Sequence, residues 1–132
     1  MKRPGIVGSG QLAVMLAEAA AAMGLNLALQ ASSASDPACK LADEVVIGAA
    51  PDGAATTQLA EHCDAIGFEN EWVDLKTIAQ LEERGLEFQP SAAVLQQLVD
   101  KRSQHRLLER RNLPCPRWCD LAEVVSAGGA LP

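Results

Sequence analysis

The sequence predicts an α/β protein in which a parallel sheet is covered by helices on both faces. Three observations carry that prediction. Short apolar runs alternate along the chain with stretches of helical periodicity. The runs are nearly unbroken, as expected of strands buried on both sides. The first run also ends in a glycine turn, Gly8-Ser9-Gly10, that passes straight into a helical stretch. A corner of that kind aims unpaired N–H groups and a helix dipole at whatever lies in front of it, which suits an anion.

Taken in order, residues 3–7 predict a strand that stops at Gly8. Leu12, Met15, Leu16, Ala19, Ala22 and Met23 recur at helical spacing from Gln11 to Met23, and Gly24 is a natural C-terminal stop. Leu25 to Leu29 form a second strand, apolar except for Asn26. The serine-rich segment up to Asp36-Pro37 is a loop by composition, and a short turn of helix covers 37–42. Glu44 to Gly48 is a third strand, carried by Val45, Val46 and Ile47. Pro51-Asp52-Gly53 turns the chain into a helix over Ala54 to Cys63, and Asp64 to Phe68 is a fourth strand. Asp74 caps a helix that runs through Arg84 and ends at Gly85. Leu86 to Gln89 is a fifth strand stopped by Pro90, and Ser91 caps a helix with Leu95, Leu98 and Val99 inside. A further helix covers Ser103 to Asn112.

At 132 residues, 48% of them hydrophobic, the chain can build one proper core and the beginning of a second unit. Its net charge of −6 argues against a nucleic-acid partner. No apolar run reaches membrane-spanning length, and Gly8 and Gly10 interrupt the place where a signal peptide would be apolar. A cytoplasmic address is expected. Cys39, Cys63, Cys115 and Cys119 form no Cys-x-x-Cys pair, and His62 and His105 do not complete a zinc pattern. Reduced thiols and no metal site are therefore expected. Trp72 and Trp118 read as core or junction residues, and the basic run from Lys101 to Arg111 as a solvated helix face.

Ligands of such sheets sit beyond the carboxyl ends of the strands. Two features fall there: the turn from Gly8 through Gly10 and Gln11 to Leu12, and the acids Glu69 and Glu71. In an extended segment both acids would face one side; the plainer alternative is a pair of loop acids near the next helix. The turn fits the G-x-G-x-x-G/A pattern of dinucleotide sites. The acid that should follow the second strand to hold a ribose is missing, because Gln30 and Ala31 stand there. A nicotinamide-binding Rossmann domain is thus the weaker alternative.

Gly8-Ser9-Gly10-Gln11-Leu12, Met15-Leu16, Pro37-Ala38, Ala42-Asp43, Phe68-Glu69-Asn70-Glu71 and Asp100-Lys101 occur in an order and spacing that resembles the start of the N5-carboxyaminoimidazole ribonucleotide synthases. These are ATP-grasp ligases of purine biosynthesis. The resemblance implies a Rossmann-like pre-ATP-grasp substrate domain over 1–98, followed at 99–132 by a helical linker and the start of the ATP-grasp domain. It also implies an ATP-dependent carboxylation of 5-aminoimidazole ribonucleotide with bicarbonate by the full-length, homodimeric enzyme, with Mg-ATP as cofactor. On that reading Gly8, Gly10, Gln11, Leu12, Glu69 and Glu71 bind the substrate, with the Gly10-Gln11-Leu12 turn at the nucleotide's phosphate end and Glu69 near its ribose, and Lys101 and His105 approach ATP. No catalytic residue falls within this chain.

Some positions depart from the family's pattern. Ala13-Val14 replaces Gly-Arg, Gly67 replaces threonine, and His105 replaces lysine. The sequence ends at Ala130-Leu131-Pro132, before the lysine strand and glycine-rich lid that such ligases need. The expectation is that this chain alone neither holds Mg-ATP tightly nor turns it over. A non-catalytic ribonucleotide-binding module is the other reading.

Overall fold

A computed structural model describes residues 3–126 and 128; the C-terminal Ala130-Leu131-Pro132 lies outside them. In chain order the elements are β1 (Pro4–Val7), α1 (Gln11–Ala22), β2 (Ala28–Ala31), a 3-10 turn (Pro37–Lys40), β3 (Glu44–Ile47), α2 (Gly53–Ala60), β4 (Ala65–Phe68), α3 (Leu75–Glu83), β5 (Glu87–Gln89), α4 (Ala92–Leu98), α5 (Lys101–Arg110) and α6 (Leu121–Ser126). The chain divides into two compact units, Met1–Leu95 and Gln96–Pro132.

The first unit is a five-stranded sheet, parallel throughout, in the order β3-β2-β1-β4-β5. Alternation along β1 assigns its two faces. Val7 packs with Val46, Ile66, Phe88 and the inner residues of α2 and α3, among them Leu59, Ile78 and Leu81. Ile6 packs with Leu29 and with Ala13, Ala17 and Ala20 of α1. Both faces therefore carry helix, as the apolar runs predicted.

Helix α1 differs from expectation in its orientation. Ala13, Ala17 and Ala20 are its buried residues, while Leu12, Met15, Leu16 and Met23 are exposed. Alanine lets the helix axis approach the sheet closely, so the large side chains fall on the outer flank. There Leu16 and Met23 border an apolar groove of about 390 Å³, floored by Gly67 and Gln89 of β4 and β5.

Strand β2 begins later than its apolar run. Gly24, at φ 68°, closes α1 through a bond from Leu25 N to Ala20 O, a Schellman-type ending. Leu27 N then donates to the Asp43 carboxylate at 2.8 Å, so the ladder starts at Ala28. Helix α5 begins earlier than expected, at Lys101, because Asp100 accepts from Arg102 N and Ser103 N. Asp74 caps α3 in the same way. Helix α6 was not anticipated; Asp120 accepts from Ala122 N at its start and pairs with Arg102 at 2.9 Å. No helix among the described residues is long and apolar enough to cross a membrane.

Gln30, at 1% exposure, is a polar residue in the middle of this packing. Its Nε2 donates to Ala49 O at 2.6 Å, and its Oε1 accepts from the Thr56 hydroxyl at 2.8 Å. The side chain thereby ties β2 to the loop and helix that follow β3. Gln30→Leu strands these buried partners and is expected to lower stability by about 1–3 kcal/mol. Urea unfolding of the variant checks this, with the m-value unchanged.

Candidate functional site

Sheet order reverses between β1 and β4: the chain leaves β1 toward β2 and β3, then returns to place β4 on the other side. The crevice beyond the carboxyl ends of two such strands is where open α/β sheets take ligands. Gly8 lies at the end of β1 and Glu69 at the end of β4. They are held in register by bonds from Gly8 N to Gln30 O and from Glu69 N to Val7 O, both 3.0 Å.

The Glu69 side chain turns back into the glycine corner. One carboxylate oxygen accepts from Gly10 N at 2.7 Å and the other from Leu12 N at 3.3 Å. The amides at the start of α1 thus already hold an anion, and it belongs to the chain itself. The glycines answer to the same group. A Cβ added at Gly8 would overlap the Glu69 side chain, and one at Gly10 would sit 2.5 Å from its Oε1. Gly8 also has φ +131°, which side-chain-bearing residues rarely adopt.

Ser9, between the two glycines, is buried; its hydroxyl donates to Asp36 Oδ2 at 2.6 Å, and its carbonyl accepts from Ala38 N. Ser33 N donates to the same carboxylate at 3.0 Å. Asp36, read as turn chemistry, therefore braces the glycine corner from the loop after β2. These bonds, that from Ser9 foremost, hold the Asp36 carboxyl below its ordinary value of 3.8.

Because the folded value lies below the unfolded one, the resulting stability is present above about pH 4 and is lost as pH falls through the folded value. Asp74 and Asp100 are lowered in the same direction, by the hydroxyls of Thr77 and Ser103 foremost. Asp36→Asn should make the acid limb of the stability–pH curve shallower, read by thermal unfolding between pH 2 and about pH 6.

The remaining site residues are placed as follows. Gln11 is exposed at the first helical position. Glu71 does not share an extended segment with Glu69, because Trp72 N donates to Asn70 Oδ1 and bends the chain between them. Trp72, expected in the core or at a junction, is 74% exposed.

Lys101 and His105 lie in the second unit, one turn apart on α5. They border a pocket of about 380 Å³ together with Trp118, Cys119 and Asp120. Lys101 Nζ donates to Gln104 Oε1 at 3.0 Å. The basic side chains of this helix are exposed, as a solvated face requires. Among the described residues no three His, Cys, Asp or Glu side chains converge to hold a metal ion. Gln30, the Ser9–Asp36 brace and the embrace of Glu69 by two amides were not foreseen from sequence; each joins residues far apart in the chain, with no local signal.

An open parallel sheet whose glycine corner and acidic residue meet at the strand-order reversal defines a Rossmann-like α/β domain. The chain belongs to the ribonucleotide synthetase preATP-grasp domain family, which its residues 1–98 match. It is 45% identical over 127 residues to an N5-carboxyaminoimidazole ribonucleotide synthase of Synechococcus elongatus, covering 96% of this chain and 32% of that protein. A synthase of the same name from Synechocystis is 47% identical over 120 residues, covering 91% and 31%. Among solved structures, N5-carboxyaminoimidazole ribonucleotide synthetase from Thermotoga maritima superposes with a TM-score of 0.82 at 28% identity, over 96% of this chain and 36% of that one. The Aspergillus clavatus enzyme in complex with ADP and 5-aminoimidazole ribonucleotide gives a TM-score of 0.83 at 25% identity, over 96% and 35%. The chain spans about a third of the length of the curated relatives it matches.

Proposed function

We propose that this chain is the ribonucleotide-recognising part of an ATP-dependent ligase that carboxylates 5-aminoimidazole ribonucleotide in cytoplasmic purine biosynthesis. Its resemblance to synthases at 45–47% identity supports the reaction. The observation that carries the site is the Glu69 carboxylate, fixed by Gly10 N and Leu12 N at the rim between β1 and β4.

A carboxylate offers about four lone-pair positions, and the two amides use two of them. Those remaining accept hydroxyl protons from a ribose. The nucleotide's phosphate, repelled by Glu69, is oriented away from that carboxylate, since the Gly10 and Leu12 amides are already taken. Glu71, beyond the bend, lines the outer edge of the same rim. Residues 1–98 form the substrate domain, and 99–132 lead toward the part that handles ATP.

In the whole enzyme, ATP phosphorylates bicarbonate, and the carboxyl group passes to the amine of the ribonucleotide. Lys101 and His105 contribute one edge of the ATP site through an ammonium and an imidazole. The described residues offer no fit for Mg²⁺, so no metal step is assigned to them. The whole enzyme works as a homodimer.

Calorimetry of the chain with 5-aminoimidazole ribonucleotide, AMP and NAD tests this. Binding of the aminoimidazole ribonucleotide in preference to NAD is expected. Tight NAD binding with no response to either ribonucleotide would overturn it.

A further inference from the structure

The second unit holds a thiol, Cys115, that the ribonucleotide reading leaves without a role, set against the imidazole of His105. After α5 the chain reverses at Asn112, whose φ of 53° places it in the left-handed region, and Leu113 N closes the turn on Leu108 O. This brings Cys115 back onto the helix, where its Sγ lies 2.8 Å from His105 Nδ1.

The imidazole is fixed from a second side. Its ring stacks on Trp118, with centroids 5.4 Å apart and planes 15° from parallel. The indole is held in turn by a bond from Nε1 to Glu109 Oε1 at 2.6 Å. Flanking prolines, Pro114 and Pro116, stiffen the backbone around the thiol. A base fixed at hydrogen-bond distance from a sulfur is the arrangement that activates a nucleophilic cysteine.

The other three cysteines lack it. Cys63 is buried, and desolvation pushes its thiol up to about 11. Burial also raises the half-buried Cys39. Cys119 is exposed and has no imidazole at its sulfur among the described contacts. Cys115 is half-buried, so small reagents reach it.

We propose that Cys115 is a covalent modification site, activated by His105, for small soft electrophiles and hydroperoxides. As the sulfur attacks, His105 Nδ1, 2.8 Å away, takes the thiol proton. With a hydroperoxide, the sulfur attacks the terminal oxygen; an S–O bond forms as the O–O bond breaks. Sulfur is oxidised to the sulfenic acid and the peroxide is reduced to an alcohol, which leaves with the imidazolium proton. With an alkyl halide, an S–C bond forms and halide departs with its electron pair. The proposal is independent of the ribonucleotide site, which lies in the other unit.

Iodoacetamide labelling at neutral pH, quantified for each cysteine by peptide mass spectrometry, tests it on the intact chain. Native Cys115 should react about tenfold faster than the same residue in urea-unfolded chain, and faster than the more exposed Cys119. His105→Gln keeps a hydrogen-bonding side chain but cannot take the proton; it should bring Cys115 to the rate of Cys119. A native Cys115 that reacts more slowly than the unfolded one overturns the proposal outright, whatever the variant does. So does a native rate unchanged in His105→Gln.

Discussion

Glu69→Ala is expected to lower affinity for 5-aminoimidazole ribonucleotide at least about tenfold, because a charged acceptor for a hydroxyl contributes about 1.5–3 kcal/mol. It should also cost the fold about 2 kcal/mol. Gly10 N and Leu12 N both lose the carboxylate that satisfies them, and amides in the first turn of a helix have no partner within the helix. Water replaces part of the loss, since the rim is only half-buried, which sets the figure near that of a strong N-cap. Calorimetry and urea unfolding read the two effects separately. The sign of a third measurement separates this account from its nearest rival. If the corner were a phosphate site that Glu69 merely plugs, Glu69→Ala would bind inorganic phosphate more tightly than the parent chain. No gain is expected.

Gly8→Ala should be the most damaging single change in the first unit, at about 3–5 kcal/mol. Two costs combine. At φ +131° a side chain is strained, by about 1–3 kcal/mol. The new methyl would also overlap the Glu69 side chain, driving the carboxylate off its two amides. Gly24→Ala is the matched control: its φ is +68° and an added Cβ meets no atom within 4 Å, so only the backbone cost of about 1 kcal/mol applies. Double-mutant analysis isolates the collision. With Glu69 already alanine, Gly8→Ala should cost less than in the parent chain, giving a coupling that distant sites do not show. Thermal or urea unfolding of the four chains supplies the cycle.

Much of this architecture was legible in the residues. The apolar runs with β-branched centres, such as Val45-Val46-Ile47, marked strands, and Asp74 and Ser91 marked helix starts. Glycines 24 and 85 stopped helices where the sequence placed them, each at positive φ. Helix α1 was read correctly in extent and wrongly in face. Periodicity drew attention to Leu12, Met15 and Leu16, whereas close approach to the sheet selected the alanines between them. Periodicity reports that a helix has stripes; which stripe is buried depends on the space available.

The site was legible as a place and obscure as a mechanism. Strand-end geometry put the glycine turn and Glu69 at one rim, and they meet there. That the glycines accommodate the carboxylate itself could not be read locally, since Gly10 and Glu69 stand 59 residues apart. The same holds for Ser9 and Asp36, 27 residues apart, and for the buried Gln30, which sequence reasoning registered only as a missing acid.

The most direct test is a crystal of the chain soaked in 5-aminoimidazole ribonucleotide. The nucleotide is expected beyond β1 and β4, with a ribose hydroxyl within hydrogen-bond distance of Glu69 and that carboxylate still on Gly10 N and Leu12 N. A nucleotide bound elsewhere with this rim vacant, or a phosphate seated on those amides with Glu69 swung away, would contradict that expectation.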